Sequence, residues 1–370
     1  MNPTSLEGFD GRAMLEALER LVKAESPSLD KALCDRCADL VLELFGDHSG
    51  ARLIRHRMEA AGDHLEVRLG EGPQPVLLLL HYDTVWPQGT LARLPFRVDG
   101  DRVQGPGSYD MKAGIVEAAF ALERARIRRP VVALATSDEE VGSQTSRELI
   151  ERLARQASAV LVLEPATSGG AIKTARKGVA DFTLRVEGRA AHAGVEPEKG
   201  VSAIEELARQ VLRVRALADP GKGTTVNVGV ISGGTRPNVV AAHAEAKIDV
   251  RIASAGEAER IVRAIRGLRP EIAGARLHVE GGMDRPPMER TDGVARLAAT
   301  AQSLAGELGF ELPESSTGGA SDGNFTAALG IPTLDGLGPD GGGAHADSEH
   351  LLIGSWLART NLLCRLLETL

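Results

Sequence analysis

The sequence predicts an α/β protein: a sheet with helices on both faces, interrupted by a smaller βαββαβ domain of the ferredoxin-like kind. Three observations carry this expectation. Short unbroken apolar runs, such as Val76–Leu80 and Pro130–Ala135, alternate with helical patterns, as strands buried on both faces do. From about residue 178 the rhythm changes to strands that alternate polar and apolar residues, with two helices among them. Finally, 370 residues at roughly 100 to 200 per domain leave room for two domains. The expected boundaries are 1–176 with 287–370 for the first domain and 177–286 for the inserted one.

In chain order, Asp10–Lys23 and Asp30–Phe45 carry apolar residues at spacings of three and four and read as helices. Pro75–Leu80 is a strand, Met111–Ile127 a long helix, Pro130–Ala135 a strand, Gln144–Arg155 a helix and Ala159–Leu163 a strand. Apolar strands separated by helices indicate a largely parallel sheet. The inserted domain reads as strand Val179–Val186, helix Gly200–Ala216, strands Thr225–Ile231 and Ala244–Ile252, helix Ala255–Leu268 and strand Ala275–Glu280. After Pro286-Pro287 come a helix at Gly293–Leu308 and a closing helix at Leu351–Leu367, with Gly341-Gly342-Gly343 as a local loop between them.

Composition narrows the function. A chain that is 43% hydrophobic and 25% charged is globular, and a net charge of -8 leaves no basic surplus for a nucleic-acid backbone or an anionic membrane. The apolar runs fall far short of the ~20 residues of a membrane span, and the opening Met1-Asn2-Pro3-Thr4-Ser5 lacks a signal-peptide layout, so the expected location is the cytoplasm. Three cysteines cannot build a disulfide framework. Cys34 and Cys37 form a CxxC inside a helical pattern without a second cysteine or histidine pair nearby, and read as buried helix residues.

Most of the histidines, among them His48, His56, His64, His243 and His278, have bland polar surroundings. His81 differs. It closes the run Val76–Leu80 at a strand's carboxyl end, where open α/β sheets place their ligands, and Asp83 follows two residues on, on the same side of an extended chain. Asp110 ends a glycine-rich loop just before a helix, a place for an N-cap or for a ligand. Asp138-Glu139-Glu140 crowd three carboxylates at the end of another strand, which costs repulsion without a cation. Glu164 stands at the end of a third strand, and His345 in a glycine-rich loop near the C-terminus. Together these make an N/O donor set suited to divalent zinc.

The set His81-Tyr82-Asp83-Thr84, Gly107-Ser108-Tyr109-Asp110-Met111-Lys112-Ala113-Gly114, Glu139-Glu140, Glu164-Pro165 and the loop of His345 resembles the co-catalytic zinc peptidases. That family contains glutamate carboxypeptidase, aminoacylase, acetylornithine deacetylase and succinyl-diaminopimelate desuccinylase. The resemblance runs from about residue 10 to the end. It implies a mixed sheet interrupted by a lid and dimerisation domain, and two Zn2+ ions per chain, with Co2+ or Mn2+ as substitutes. It further implies that His81 and Glu164 bind one ion, that His345 and Glu140 bind the other, and that Asp110 bridges them. Glu139 would be the general base, Asp83 the partner of His81, and the Asp110-Met111 peptide cis.

In the inserted domain, His192 of Gly188-Arg189-Ala190-Ala191-His192-Ala193-Gly194 resembles a lid histidine that reaches across a dimer to the reacting carbonyl; read from its own neighbours it is a turn histidine. Asn238 stands in the place of a lid asparagine beside the substrate. Arg285, before Pro286-Pro287, matches an arginine that grips the substrate carboxylate, a task suited to a guanidinium fork. Gly319 and Ser321 lie in a loop resembling one whose backbone donors hold the same carboxylate, and Lys177 is either a further substrate contact or a solvated strand-end lysine. The implied activity is removal of a C-terminal, glutamate-like amino acid from a peptide or N-acyl conjugate by a homodimer. The alternatives are an N-acyl-amino-acid deacylase and, in another class, a non-catalytic metal-binding homologue.

Overall fold

The computed structural model describes residues 9–46 and 50–370, so the opening Met1–Ser5 and His48 lie outside the described residues. The chain divides into two compact units. One comprises the described residues up to Ala175 with Arg290–Thr317 and Ser321–Leu370; the other comprises Arg176–Glu289 with Gly318–Ala320.

The first unit is built on a six-stranded sheet in the order Arg52–His56, His64–Leu69, Val131–Thr136, Val76–His81, Ala159–Val162, Thr333–Leu334. The strands from Val131–Thr136 onward pair in parallel, while the first two join antiparallel. The sheet is therefore mixed, as the resemblance implies, with three of its five strand pairings parallel where the apolar runs lie. The antiparallel strand His64-Leu65-Glu66-Val67-Arg68-Leu69 alternates polar and apolar residues and does not stand out as a continuous apolar run.

Strand Val76–His81 explains why such a run is needed. Val76, Leu78 and Leu80 face a core shared with helices Gly11–Lys23, Lys31–Gly46, Ala113–Arg124 and Ile353–Thr369, whereas Leu77 and Leu79 face a second core with helices Arg147–Ala154 and Gly323–Ala328. Both faces are covered, so both phases of the strand must be apolar. Cys34 and Cys37 are buried in the first core as free thiols, in keeping with the reading of the CxxC. Asp10 caps helix Gly11–Lys23, accepting from the N–H groups of Arg12 and Ala13. Among the described residues no helix is long and apolar enough to cross a membrane.

Beneath the antiparallel edge a buried carboxylate is held by half-buried cations. Asp63 accepts from Lys31 Nζ at 2.8 Å, Arg55 Nε at 2.7 Å and the Met58 N–H at 2.9 Å. Burial alone would raise its pKa, but these donors outweigh burial and hold it at about 2, below the ordinary 3.8. Since the folded value lies below the unfolded one, the stabilisation is complete above about pH 4 and is lost as pH falls through 2; it amounts to about 2 kcal/mol. Urea unfolding of wild type should therefore weaken more steeply than that of Asp63→Asn between those pH values. Parallel curves would contradict the assignment.

The second unit carries the order strand Gly178–Glu187, helix Ala203–Arg215, strands Thr225–Gly233 and His243–Ile252, helix Ala255–Arg266, strand Arg276–Arg285. These four strands pair antiparallel, with Gly178–Glu187 in the centre between His243–Ile252 and Arg276–Arg285. Phe182, Leu184, Ile248 and Val250 face the two helices through Leu207, Val214, Ile261 and Ile265. This is the βαββαβ arrangement expected from the sequence. Ser202 and Ser254 cap the helices, each accepting an N–H three residues on.

Candidate functional site

Strands Val131–Thr136, Val76–His81 and Ala159–Val162 are mutually parallel, so the segments beyond their carboxyl ends share one edge of the sheet. His81 ends Val76–His81, Asp138-Glu139-Glu140 follow Val131–Thr136, and Glu164 follows Ala159–Val162. Turns supply the rest. Gly107 adopts φ 70° and a Cβ there would come within 2.4 Å of Thr84 Cγ2, so the tight turn before Asp110 requires glycine. Asp110 is joined to Met111 by a cis peptide, and the residue at the N-cap of helix Ala113–Arg124 is Lys112, so the Asp110 carboxylate is not a helix cap. His345 stands at φ 63° in the C-terminal loop.

Two clusters result. Ligand atoms of His81, Asp110 and Glu164 lie within 4.8 Å of one another, as do those of Asp110, Glu140 and His345. His81 Nε2 is 3.4 Å from Asp110 Oδ1 and 3.4 Å from Glu164 Oε1. His345 Nε2 is 3.3 Å from Asp110 Oδ2 and 3.2 Å from Glu140 Oε2. Asp110 thus turns one oxygen to each cluster. His81 Nε2 and Glu140 Oε1, one in each cluster, are buried without a hydrogen bond, a costly state for polar atoms that a cation in each cluster would relieve. The donors fit two borderline divalent ions.

Electrostatics agree with this fit. Burial lowers the pKa of His81, yet Asp110, Asp83 and Glu164 outweigh it and push it well above the ordinary value. His345 is pushed up to about 11, chiefly by Asp110 and then by Glu140. Burial would raise Asp110, but the facing His345 and His81 rings hold it well below the usual carboxylate range. Burial, reinforced by the Asp110 charge, raises Glu140. Both histidine shifts have one cause, imidazoles facing crowded carboxylates, and a divalent cation would compensate that negative charge.

The Nδ1 of His81 donates to the Asp83 backbone carbonyl at 3.1 Å, nearer than the Asp83 carboxylate at 3.4 Å. A carbonyl can only accept, so in the neutral ring the proton sits on Nδ1 and the Nε2 lone pair faces the cluster. The Asp83 carboxylate is the second, longer contact of the same nitrogen. The same carboxylate accepts from Ser28 Oγ at 2.7 Å and from the N–H groups of Glu139 at 3.3 Å and Glu140 at 3.2 Å. It fixes the 3₁₀ turn Glu139–Val141, in which successive side chains leave about 120° apart.

Sequence reasoning missed Glu349. Its buried carboxylate accepts from Trp86 Nε1 and from the N–H groups of Gly107, Tyr109 and Asp110. Burial pushes its pKa up to about 7. A signal was present: an acid within a glycine-rich loop four residues after His345. Nothing in the sequence tells where that acid points. Of the histidines read as bland, His64 is buried against Thr145 and Ser137, with burial lowering its pKa, and His56 meets Glu66.

In the second unit His192 and Asn238 come together: the Ala193 N–H donates to the Asn238 carbonyl and His192 bridges Val239. His192 is exposed, and its Nδ1 accepts the Gly194 N–H at 3.1 Å, which leaves the proton of the neutral ring on Nε2. His192 therefore presents a donor, the opposite of His81. Arg285 is buried at the end of its strand opposite Val179, and Lys177 immediately precedes the paired strand. Those two residues and the His192–Asn238 pair occupy opposite ends of the ten-residue strand Gly178–Glu187. The carbonyls of Gly319 and Ala320 accept from Arg176 Nη1. Ser321, in the first unit, is fully buried, donating its hydroxyl to Asp335 at 2.6 Å and its N–H to Asn324 at 2.9 Å. Both donors of Ser321 are therefore engaged within the protein.

Comparison with known proteins agrees with this chemistry. Carboxypeptidase G2 from a Pseudomonas strain is 31% identical over 371 residues, covering 97% of this chain and 89% of that protein. Acetylornithine deacetylase from Proteus mirabilis is 31% identical over 205 residues, 51% of this chain and 52% of that protein. The crystal structure of aminopeptidase PepT from Bacillus cereus superposes with a TM-score of 0.76 at 23% identity, covering 96% of this chain and 98% of that one, a likeness of fold. The profile of peptidase family M20/M25/M40 matches residues 77–369. With its two histidine–carboxylate clusters at the end of the sheet, the chain belongs to peptidase family M20/M25/M40 and is a hydrolase acting on amide bonds.

Proposed function

We propose that this hydrolase is a zinc-dependent carboxypeptidase of the glutamate type, releasing a C-terminal, glutamate-like amino acid from a peptide or N-acyl conjugate. The observation that carries the metal chemistry is the sharing of Asp110 between two clusters. In this reading His81 and Glu164 hold one ion, His345 and Glu140 the other, and Asp110 bridges them; Co2+ or Mn2+ can substitute for zinc. Ions held there would supply polarisation of an amide carbonyl and acidification of a water. Glu139 takes the proton of the attacking water and hands it to the leaving amine. The turn fixed by Asp83 sends the Glu139 and Glu140 side chains in different directions, which divides the pair into base and ligand. Arg285 and Lys177 hold the substrate carboxylate, with the loop of Gly319 beside them.

Similarity to carboxypeptidase G2 over nearly the whole chain supports a carboxypeptidase, and Glu164 with the Arg285-Pro286-Pro287 pattern resembles the glutamate-releasing branch of the family. Similarity to acetylornithine deacetylase over half of the chain favours the second reading, an N-acyl-amino-acid deacylase. Purified protein should be offered C-terminal glutamyl peptides, pteroyl-glutamate and N-acyl amino acids, with amino-acid release measured. The first reading expects glutamate release from the first two substrates, abolished by a chelator and restored by Zn2+. Efficient release only from N-acetylornithine would favour the second.

The second unit acts, in this proposal, as a lid and dimerisation domain. A neutral His192 with its proton on Nε2 can stabilise a developing oxyanion, and Asn238 stands next to it. The strand that separates this pair from Lys177 and Arg285 spans about 30 Å by itself, so a site that uses both pairs draws on two chains. The protein is then a homodimer with His192 acting in trans. Its three free, buried cysteines suit a cytoplasmic location. Mixing inactive His192→Ala with inactive Glu139→Gln chains should restore about a quarter of wild-type activity, since half the dimers are mixed and one of their two sites is intact. Subunit exchange proved by mass, with no recovery, would refute the trans arrangement.

A further inference from the structure

We infer that Glu349 is a positioning residue that sets the Asp110 carboxylate between the two clusters, an inference that rests on the proposed bridging role of Asp110. Its two oxygens gather four donors from two distant stretches of chain. Oε2 accepts from Trp86 Nε1 at 2.7 Å and from the Gly107 N–H at 3.0 Å; Oε1 accepts from the N–H groups of Tyr109 at 3.0 Å and Asp110 at 3.2 Å.

Each stretch ends in a residue of the clusters. Trp86 lies five residues beyond His81, Gly107 to Asp110 form the turn that presents the shared carboxylate, and Glu349 closes the loop of His345 through its N–H to the Ala346 carbonyl. One buried carboxylate therefore ties together the segments that carry His81, Asp110 and His345. The N–H of Asp110 itself is among the bonds, so the orientation of that residue is held within one bond of its Cα. All four donors are N–H groups, and only a carboxylate offers two acceptor oxygens to them. A carboxamide would turn an NH₂ toward two N–H groups and release one side of the turn.

Outer partners of metal ligands typically cost 10–100-fold in metal affinity when removed. Co2+ titrated into metal-free whole protein, in competition with a chromophoric chelator, should bind Glu349→Gln at least about tenfold more weakly than wild type. Because Asp110 serves both clusters, both binding steps should weaken, and the Co2+ absorption spectrum should change. Thermal unfolding of the metal-free proteins, measured alongside, separates positioning from simple support of the fold. Wild-type Co2+ affinity and spectrum in a folded Glu349→Gln overturn the inference while leaving the metal reading intact. Wild-type protein that takes up no Co2+ overturns both. If Glu349→Gln does not fold, Trp86→Phe, which removes one of the four donors, should weaken Co2+ binding by a smaller factor; unchanged affinity and spectrum there also overturn the inference.

Discussion

The Glu139→Gln variant is expected to lose about 10² to 10⁴-fold in turnover while its metal content stays at the wild-type value. Glutamine keeps the size of the side chain and the backbone N–H that Asp83 accepts, so the turn Glu139–Val141 should persist. What disappears is the proton acceptor. The neighbouring Glu140 cannot replace it, because that carboxylate is 3.2 Å from His345 Nε2 and is committed to the second cluster. Elemental analysis and single-turnover kinetics on the same sample check the split. Near-normal turnover would remove Glu139 from the role, and parallel loss of metal and activity would make it a ligand instead.

Asp110→Ala should act on both clusters at once. Its two oxygens face His81 and His345 separately, at 3.4 and 3.3 Å. Removing them leaves His81 with Glu164 and His345 with Glu140, two donors where three stood. Metal content should fall well below one ion per chain and activity below detection. His345→Ala, by comparison, leaves the set of His81, Asp110 and Glu164 intact and should retain one ion. Equal metal content in the two variants would argue against a shared carboxylate.

How much of this could be read from the sequence depends on how local the signal was. The apolar run Val76–Leu80 announces itself because two cores claim its two faces. Strand His64–Leu69 alternates and pairs antiparallel on both sides, so periodicity gave less warning of its place in the sheet. The acids and histidines at strand ends were legible because a carboxyl end of a parallel strand is a place as well as a residue. Asp83 was legible only as a neighbour of His81: that its carboxylate would serve the turn of Glu139 and Glu140, 56 and 57 positions away, is a fact of the fold. Glu349 and Ser321 mark the same limit in opposite directions. Glu349 is not singled out in the sequence and gathers four donors, whereas Ser321 reads as part of a ligand loop and spends both of its donors internally.

Whether Asp110 joins two metal positions at the end of the sheet can be seen in an anomalous difference map recorded at the zinc edge from crystals grown with Zn2+. Two peaks about 3.5–4 Å apart are expected, one beside His81 and Glu164 and one beside Glu140 and His345, with Asp110 between them. A single peak, or none at these residues in protein that hydrolyses amides, would contradict a shared Asp110.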